Sequence, residues 1–343
     1  RFTKFKYVFL TGHHSLFMAC LMSAVLGTAG LSGIELILVG GFLMGAWSAI
    51  SPAIGQSYTS KVTDGDEIAL GHFGSLGYYL SAWVAKYVGK AEESTEDIEI
   101  PEKWGFLRDS TLSTALTMIV FYLIAAIAAG SEFVATLSGS MSPYLFAIMS
   151  AMNFAVGVAI VYSGVRMILG DLIPAFQGIA TKIIPNAIPA VDCAVFFTYA
   201  PTAVVLGFIS SFIGGIIGML ILGAVGGVLI IPGLVPHFFC GATAGIYGNA
   251  TGGRRGAAVG AFLNGLAITF LPALALPVLG QLGFQNTTFG DADFAVMGLV
   301  LGNAFEWIGM AGIYGIVVIA ALVLIIPNFI KTKGKVINYV EED

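Results

Sequence analysis

Long apolar runs separated by short polar breaks dominate the chain. A helix needs about 20 mostly apolar residues to cross a bilayer, and most of these runs reach or exceed that length. The pattern therefore predicts a chain of helices that crosses a membrane several times. The runs cover residues 7–34, 36–59, 111–131, 143–169, 193–231, 255–280 and 294–327.

Some of the apolar segments do not fit a single straight helix. Runs 193–231 and 294–327 are too long for one crossing, so we expect a break inside each. Segments 64–89, 171–190 and 232–250 are apolar but interrupted by glycine, proline and polar residues. Irregular backbone is tolerated at membrane depth only where protein or a water-filled cavity surrounds it. We therefore predict that the last two are re-entrant hairpins of a transporter, with surface loops as the alternative.

A weak internal repeat also favours a transporter. The first copy places His13 before the sequence Asp-Gly-Asp at 64–66, and the second places His237 before Asp-Ala-Asp at 291–293. Inverted repeats of this kind place the substrate at the interface between the two copies. Because few positions match, chance similarity is the alternative explanation.

The composition supports the membrane assignment. Of 343 residues, 57% are apolar or aromatic and only 10% are charged, whereas soluble domains carry roughly 25% charged residues. The net charge of −5 and the lack of a basic stripe exclude a nucleic-acid-binding protein. The sequence therefore predicts an all-α polytopic membrane protein, with the whole chain 1–343 as one integral membrane domain.

Eleven of the 15 cationic residues cluster in four places, and these clusters predict the orientation of the chain. They lie in the opening cluster at 1–6, the hydrophilic loop 90–109, the arginine pair 254–255 and the tail 331–343. By the positive-inside rule we expect all four to be cytoplasmic. Because the sequence starts inside a basic cluster, we also expect that helical segments precede Arg1.

All four histidines lie in apolar or broken segments, where burying an imidazole costs desolvation. They are His13, His14, His72 and His237. Imidazole both donates and accepts hydrogen bonds, which suits a polyhydroxylated substrate, and it also exchanges protons near neutral pH. Each histidine alone has a structural explanation, but as a group they favour a binding site.

Asp192 is the sharpest single site candidate. It follows a segment with three prolines and directly precedes the apolar run at 193–231. A charged residue in a membrane helix costs roughly 2.5–3.5 kcal/mol on insertion scales, so an intramembrane acid is by default a functional hypothesis. The compatible structural explanation is a helix N-cap, where aspartate is favoured. Glu306, which lies inside the last apolar run, is a weaker functional candidate for the same reason.

Several familiar catalytic motifs are absent from the sequence. It contains no GxxxxGK[ST] loop, no Gly-x-Ser-x-Gly elbow and no HExxH. The three cysteines have no metal-binding spacing. We therefore predict no cofactor, no metal site and no independent catalytic motif.

Six short motifs occur in a characteristic order. They are Thr11-Gly12-His13, Val62-Thr63-Asp64-Gly65, Gly71-His72, Gly164-Val165-Arg166-Met167, Val191-Asp192-Cys193-Ala194 and Ile230-Ile231-Pro232-Gly233. With this order and spacing, nearly the whole chain resembles the ascorbate-type IIC permeases of the phosphoenolpyruvate:sugar phosphotransferase system (PTS).

The resemblance implies an architecture and a set of partners. Members are homodimers in the bacterial inner (cytoplasmic) membrane, with eleven transmembrane segments per protomer. A core domain with two re-entrant hairpins moves like an elevator against a V-shaped domain that carries the dimer contact. A cytoplasmic IIB protein, phosphorylated on cysteine, transfers its phosphate to the sugar, and a IIA protein recharges IIB. About three family segments would precede Arg1.

The resemblance also implies site residues. The family histidines fall on His13 and His72, and the family's buried aspartate falls on Asp192. All three would bind the substrate, and Asp192 would also act as a general base. Two glutamines of the ascorbate-specific members are replaced by Phe17 and Phe73, which we also expect to contact the substrate. The expected substrate is therefore ascorbate or a related sugar or sugar acid.

Two other functions are compatible with the residues alone. In a proton-coupled secondary transporter of a small organic anion or sugar, the same histidines and aspartate would relay protons. A membrane enzyme without transport is a weaker alternative, because it gives the broken segments and the repeat no role.

Overall fold

Helices account for most of the described chain. The computed structural model describes residues 3–99, 103, 110–280 and 288–329. In chain order the elements are β1 (Tyr7–Phe9), α1 (Gly12–Thr28), α2 (Gly33–Val62), β2 (Ala69–Leu70), α3 (Ser75–Val88), α4 (Ser110–Ala129), α5 (Ser131–Ser138), α6 (Pro143–Lys182), β3 (Ile188–Val191), α7 (Cys193–Phe196), α8 (Pro201–Ala224), α9 (Leu234–Gly280), α10 (Ala292–Ile308), α11 (Met310–Ile325) and a 3₁₀ turn (Ile326–Phe329).

The apolar helices expose apolar side chains, as a membrane protein does. Within the described ranges, six helices are long and apolar enough to cross a bilayer. They are Gly33–Val62, Thr111–Ala129, Pro143–Gly164, Pro201–Ala224, Leu234–Leu279 and Met310–Phe329. Ile127 on α4 is 66% exposed and Val318 on α11 is 56% exposed, which suits contact with lipid tails better than with water. The prediction of an all-α polytopic membrane protein is confirmed.

Both long apolar runs are broken, as predicted. In run 193–231, α7 ends at Phe196 and α8 begins at Pro201. In run 294–327, α10 and α11 meet at Gly309, whose φ of +67° is readily adopted only by glycine. A Cβ at Gly312 would lie 2.2 Å from the carbonyl oxygen of Ala304. These two residues would be far apart in one straight helix, so the chain reverses direction at Gly309.

Helix α9 contains a similar reversal. Its 47 residues are interrupted by non-helical backbone at Gly252 and Gly253, the latter with φ +58°. A Cβ at Gly248 would lie 2.4 Å from the carbonyl oxygen of Gly256, so the two arms pack closely beside the reversal. The predicted hairpin at 232–250 is therefore only the first arm of a longer helical hairpin. Its depth in the membrane stays a prediction.

The backbone of segment 171–190 differs from the expected hairpin. Residues 171–182 continue α6, which has 40 residues and is about 60 Å long. A turn with Pro185 follows, and Pro189 lies within β3. Pro174 is tolerated inside the helix, so the three prolines do not produce two antiparallel arms. A re-entrant position of this segment also stays a prediction.

Three short strands form a parallel sheet in the order β1-β3-β2. The sequence analysis missed this sheet. Its strands have only two to four residues, which is too short for the alternation of polar and apolar residues that indicates a strand.

Among the described residues, two large apolar clusters form most of the interior, and a small third one lies between α4, α5 and α6. One large cluster lies around α3, α7, α8 and the first arm of α9, with large buried side chains such as Tyr78, Phe196 and Tyr247. The other large cluster joins α1, α2 and α10, with Met18 and Phe294 among its members. The region between the two large clusters holds the polar residues described next.

The hydrophilic loop packs against the reversal of α9. Of loop 90–109, the structure describes 90–99 and 103; the rest, and the whole tail 331–343, lie outside the described residues. The backbone N–H of Arg254 donates to the carbonyl of Glu93 (2.8 Å), and that of Thr95 donates to Asn249 Oδ1 (2.8 Å). Two of the four cationic places predicted to be cytoplasmic therefore lie together, which supports a common side for them.

Candidate functional site

The parallel sheet brings three distant parts of the chain together. β1 pairs with β3 from Tyr7 opposite Ile188 onward, and β2 pairs with the other edge of β3. All three strands are parallel, so their carboxyl ends meet at one edge, the usual position of ligands in open parallel sheets. His13 follows β1, His72 follows β2 and Asp192 follows β3. The sheet thus brings together the three residues that the sequence singled out.

Gly71 allows this close approach. Its N–H donates to the carbonyl of Val191 (2.7 Å), and its own carbonyl accepts from the hydroxyl of Thr11. A Cβ at this position would lie 2.2 Å from the carbonyl oxygen of Ala190. Only glycine therefore lets β2 and the following His72 lie this close to β3.

His13 and Asp192 face each other at the strand ends. Nε2 of His13 lies 3.6 Å from Oδ2 of Asp192, and the two side chains are 63% and 30% exposed. The other carboxylate oxygen of Asp192 accepts from the N–H of Ala194 (3.1 Å), at the start of α7. Asp192 is thus the predicted N-cap and also a neighbour of His13.

A second histidine–aspartate pair lies beside the first. Nε2 of His14 is 3.7 Å from Oδ2 of Asp291, the residue that precedes α10. The thiol of Cys240 donates to Oδ1 of Asp291 (2.7 Å). The ring of His14 also lies 3.9 Å from that of His72, measured between centroids. The sequence had offered His14 as one of four histidines and Asp291 only as part of the repeat.

Backbone donors hold the rings of His14 and His72. The N–H of Phe73 donates to Nδ1 of His14 (3.3 Å), and the N–H of Gly74 donates to Nδ1 of His72 (3.1 Å). The hydroxyl of Tyr78 is also 2.9 Å from Nδ1 of His72. Both imidazoles are buried, with 6% and 4% of their surfaces exposed.

These side chains line a cavity of about 790 Å³ between the two apolar clusters. The rest of the wall is mostly apolar, and no lysine or arginine occurs among the described residues that line it. The lining residues are His13, His14, Phe17, Cys20, His72, Val161, Asp192, Cys193, Ala194, Val235, Pro236, Phe239, Thr288, Phe289, Gly290, Asp291 and Phe294.

Two groups of side chains in this region have the spacing of metal ligands. Donor atoms of His14, His72 and Asp291 lie within 4.8 Å of one another, and so do those of His72, Asp192 and Cys193. Distance alone therefore does not exclude a metal ion here. The protonation of the imidazoles decides whether they can bind one.

Asp293 joins three elements behind the cavity. Its fully buried carboxylate accepts from Trp47 Nε1 (3.0 Å), the hydroxyl of Ser75 (2.7 Å) and the N–H of Leu76 (3.0 Å). Its backbone N–H donates to the carbonyl of Phe73 (2.9 Å). Asp293 thereby caps α3 from another helix and fixes the loop that carries His72.

Three of the residues that the sequence raised lie elsewhere. Phe73 is fully buried against Phe9 and Phe294, behind the cavity wall, and does not line the cavity. His237 pairs with the hydroxyl of Ser211 (2.9 Å) and is not among the described residues that line the cavity. Glu306 is exposed in the last turn of α10.

The order of elements supports the predicted repeat. In the first copy, α1 and α2 precede the acidic pair and α3; in the second, the two arms of α9 precede the acidic pair and α10. The two acidic pairs have different surroundings, because Asp66 is exposed and Asp293 is buried. Asp66 accepts from the hydroxyl of Tyr199 (2.7 Å). Partial burial raises the pKa of Tyr199 above its usual value, and the hydrogen bond to Asp66 raises it further. An inverted relation between the copies stays a prediction.

Comparison with known proteins agrees with the sequence motifs. The family described as "PTS system sugar-specific permease component" (EIIC-GAT) matches residues 1–293. A relative from Mycoplasma pneumoniae, named "Ascorbate-specific PTS system EIIC component", is 25% identical over 292 residues. That match covers 73% of this chain and 44% of the relative, so the chain spans less than half of the relative's length. The chain therefore belongs to the family of PTS sugar-specific permease components, multi-pass proteins that in bacteria lie in the inner membrane.

Proposed function

We propose that this chain is part of the IIC permease of a PTS, which imports a small carbohydrate while a IIB partner phosphorylates it. Support comes from a mostly apolar cavity with a few convergent polar groups, which is typical of a small-molecule site. The observation that carries the proposal is the meeting of His13, His72 and Asp192 at this cavity. The family match and the name of the curated relative support the same class of function.

In the proposed reaction, His13, His72 and Asp192 hydrogen-bond the hydroxyls of the bound carbohydrate. Asp192 then accepts the proton of the hydroxyl that attacks the phosphoryl group of IIB. A bond forms between the substrate oxygen and phosphorus, the bond between phosphorus and the IIB cysteine sulfur breaks, and the proton stays on Asp192. Such general-base help is typically worth 10²- to 10⁴-fold in rate. The charged product can no longer leave backwards, which couples phosphorylation to uptake.

Aromatic rings around the cavity favour a ligand with apolar C–H faces. Phe17, Phe289 and Phe294 all line it. A sugar ring or chain presents such faces between its hydroxyls, and rings give them close apolar contact. We propose ascorbate or a related sugar or sugar acid as the substrate. Phe17 stands where the resemblance implies glutamine, so this chain's preference need not be that of ascorbate-specific members.

The assembly follows the family architecture in our proposal. The chain forms a core domain with two re-entrant segments, 171–190 and 232–250, and part of a V-shaped domain with the contact of a homodimer. Loop 90–109 and tail 331–343 lie on the cytoplasmic side, where IIB binds and IIA recharges it.

A proton-coupled transporter is the second candidate function. It is favoured by the two histidine–aspartate pairs, His13–Asp192 and His14–Asp291, at one cavity. Neighbouring imidazole and carboxylate groups are suited to passing protons.

Uptake into proteoliposomes that contain the full-length protein separates these candidates. We expect a labelled carbohydrate to accumulate as its phosphate only when phosphoenolpyruvate, the general PTS proteins, IIA and IIB are present. Uptake driven by a pH gradient, unchanged by phosphoenolpyruvate and the partner proteins, would support the proton-coupled transporter and contradict the phosphotransferase function.

A further inference from the structure

The hydrogen bonds of His14 and His72 fix where their protons lie. Nδ1 of each ring accepts from a backbone N–H, that of Phe73 for His14 and that of Gly74 for His72. A backbone N–H only donates, so each Nδ1 must be unprotonated. A neutral imidazole then carries its proton on Nε2.

The cationic form of either ring is opposed by the same contacts. It would place a second hydrogen on Nδ1, directly against a backbone N–H, in a buried position. Two acids and a third imidazole also face this region: Asp192 directly after β3, Asp291 directly before α10, and His13 on α1. The phenol of Tyr78 and the thiols of Cys193 and Cys240 also lie beside them. None of these removes the two backbone donors, so both rings stay Nε2–H donors.

The distance between His14 and Asp291 leaves room for one ligand atom. Nε2 of His14 and Oδ2 of Asp291 are 3.7 Å apart, too far for a hydrogen bond between them. An oxygen placed about 2.8 Å from both atoms would bond to each. A hydroxyl group fits this position, because it accepts from the imidazole N–H and donates to the carboxylate.

We propose that His14 and Asp291, with His72 beside them, form a subsite for one hydroxyl of a polyhydroxylated ligand. Nothing in the sequence motifs or in the family resemblance assigns this subsite. It rests on the proposed function, because it names the ligand group that this side of the same cavity recognises. The fixed N–H donors make the subsite specific for an oxygen that both accepts and donates.

A metal ion is the competing occupant of the same three side chains. A histidine ligand binds metal through an unprotonated nitrogen, and its other nitrogen donates to a carbonyl or carboxylate. Here the second nitrogen accepts from a backbone N–H, which is the reverse arrangement. The hydrogen bonds therefore oppose the metal ion that the distances alone would allow.

Nitrogen NMR tests the tautomers without any ligand. The full-length protein is labelled with ¹⁵N-histidine in lipid nanodiscs, and signals are assigned by their loss in His14→Gln and His72→Gln. We expect both rings to give the Nε2–H signature, unchanged from about pH 5 to pH 8, the range in which free imidazole titrates. His237 is the internal comparison, because its Nδ1 partner is a hydroxyl that either donates or accepts. An Nδ1–H tautomer, or protonation of either ring within this range, would overturn the proposal.

Binding measurements test the subsite itself. The probes are L-ascorbate, D-xylose, D-sorbitol, and a deoxy analogue of whichever binds; Zn²⁺ alone tests the metal alternative. We expect His14→Leu to weaken the binding of the hydroxylated probe roughly tenfold or more, because one buried hydrogen bond is lost. His14→Gln, which keeps an N–H donor near the same position, should lose less, and the analogue that lacks the recognised hydroxyl should be insensitive to both changes. Equal losses for all ligands, or Zn²⁺ binding that disappears in His14→Gln, would overturn the subsite.

A failure of the subsite proposal can be distinguished from a failure of the proposed function. If none of the probes binds, the proposed substrate class fails, while the NMR result still decides the protonation of the two rings. If phosphorylation depends on IIB but His14 is found as an Nδ1–H tautomer, the permease function stands and the subsite is wrong.

Discussion

The imidazole of His13 and the carboxylate of Asp192 lie 3.6 Å apart because two strands of one small parallel sheet end side by side. His13 follows β1 in the chain, and Asp192 follows β3. Asp192 also caps α7. The pair thus depends on the pairing of residues 7–9 with 188–190, far apart in the chain. It is this pairing that turns separate motifs into one candidate site.

Replacing Asp192 by asparagine should separate chemistry from binding. The asparagine amide would keep the size and part of the hydrogen bonding of the carboxylate but could not accept a proton. For Asp192→Asn we expect phosphorylation of the carbohydrate to fall by about 10²- to 10⁴-fold, while its affinity falls much less. Both are measured with purified phosphorylated IIB and the full-length protein. Glu306→Gln, at an exposed acid of α10, is the control. Equal loss of affinity and phosphorylation would reduce Asp192 to a binding or structural residue.

Gly71→Ala should disrupt the sheet edge. The added methyl group would meet the carbonyl oxygen of Ala190, and overpacking of this kind typically costs about 1–3 kcal/mol. We expect a lower melting temperature in detergent and weaker ligand binding, because His72 is the next residue. Gly157→Ala is the matched control, since a methyl group there has no neighbour within 4 Å. A melting temperature equal to that of the control would show that the strands tolerate a wider spacing.

Asp293→Ala should destabilise the protein from behind the cavity. It leaves the indole N–H of Trp47, the hydroxyl of Ser75 and the N–H of Leu76 without their acceptor. Each buried unpaired group costs about 1–3 kcal/mol. Thermal unfolding should therefore show a clear loss, accompanied by a change in tryptophan fluorescence. Asp66→Ala removes an exposed hydrogen bond to Tyr199 and should change stability much less. A similar loss in both variants would contradict this role for Asp293.

The two phenylalanines at the positions of family glutamines should respond differently to glutamine. Phe17 is 54% exposed and lines the cavity, so Phe17→Gln should be tolerated and should raise the affinity for ascorbate. Phe73 is fully buried among rings, so Phe73→Gln should destabilise the fold, because an amide without partners is costly to bury. Isothermal titration with ascorbate and thermal unfolding measure the two effects. If Phe73→Gln is tolerated and binds ascorbate more tightly, Phe73 must be assigned to the substrate site.

Much of the helical framework was predictable from the sequence. Long apolar runs predicted the spans, and runs too long for one crossing predicted the breaks, one of which falls at Gly309. At 171–190 the prolines predicted a hairpin with two arms. The backbone differs, because α6 accommodates Pro174 and the chain then continues into a strand. Proline disfavours a helix only locally, and the final backbone depends on pairing partners that one sequence window does not contain.

The candidate site was predictable only in part. His13, His72 and Asp192 belong to motifs, and the structure brings them to one cavity. Asp291 stood in the sequence only as one acid of a repeat, and nothing local indicated that it faces His14. Its position depends on the packing of α10 against α1 and on the bond from Asp293 to the loop at Phe73. Such contacts between distant segments have no signature in residue spacing.

The most direct test of the central claim uses Cys20, an exposed free thiol that lines the cavity. The rate at which a maleimide alkylates Cys20 in the full-length protein is measured by peptide mass spectrometry, with and without a saturating carbohydrate ligand. If the cavity at the strand ends is the substrate site, bound ligand should slow alkylation of Cys20 several-fold, and Asp192→Ala should abolish the protection at the same ligand concentration. Full occupancy by ligand with an unchanged rate at Cys20 would place the substrate elsewhere and contradict the account.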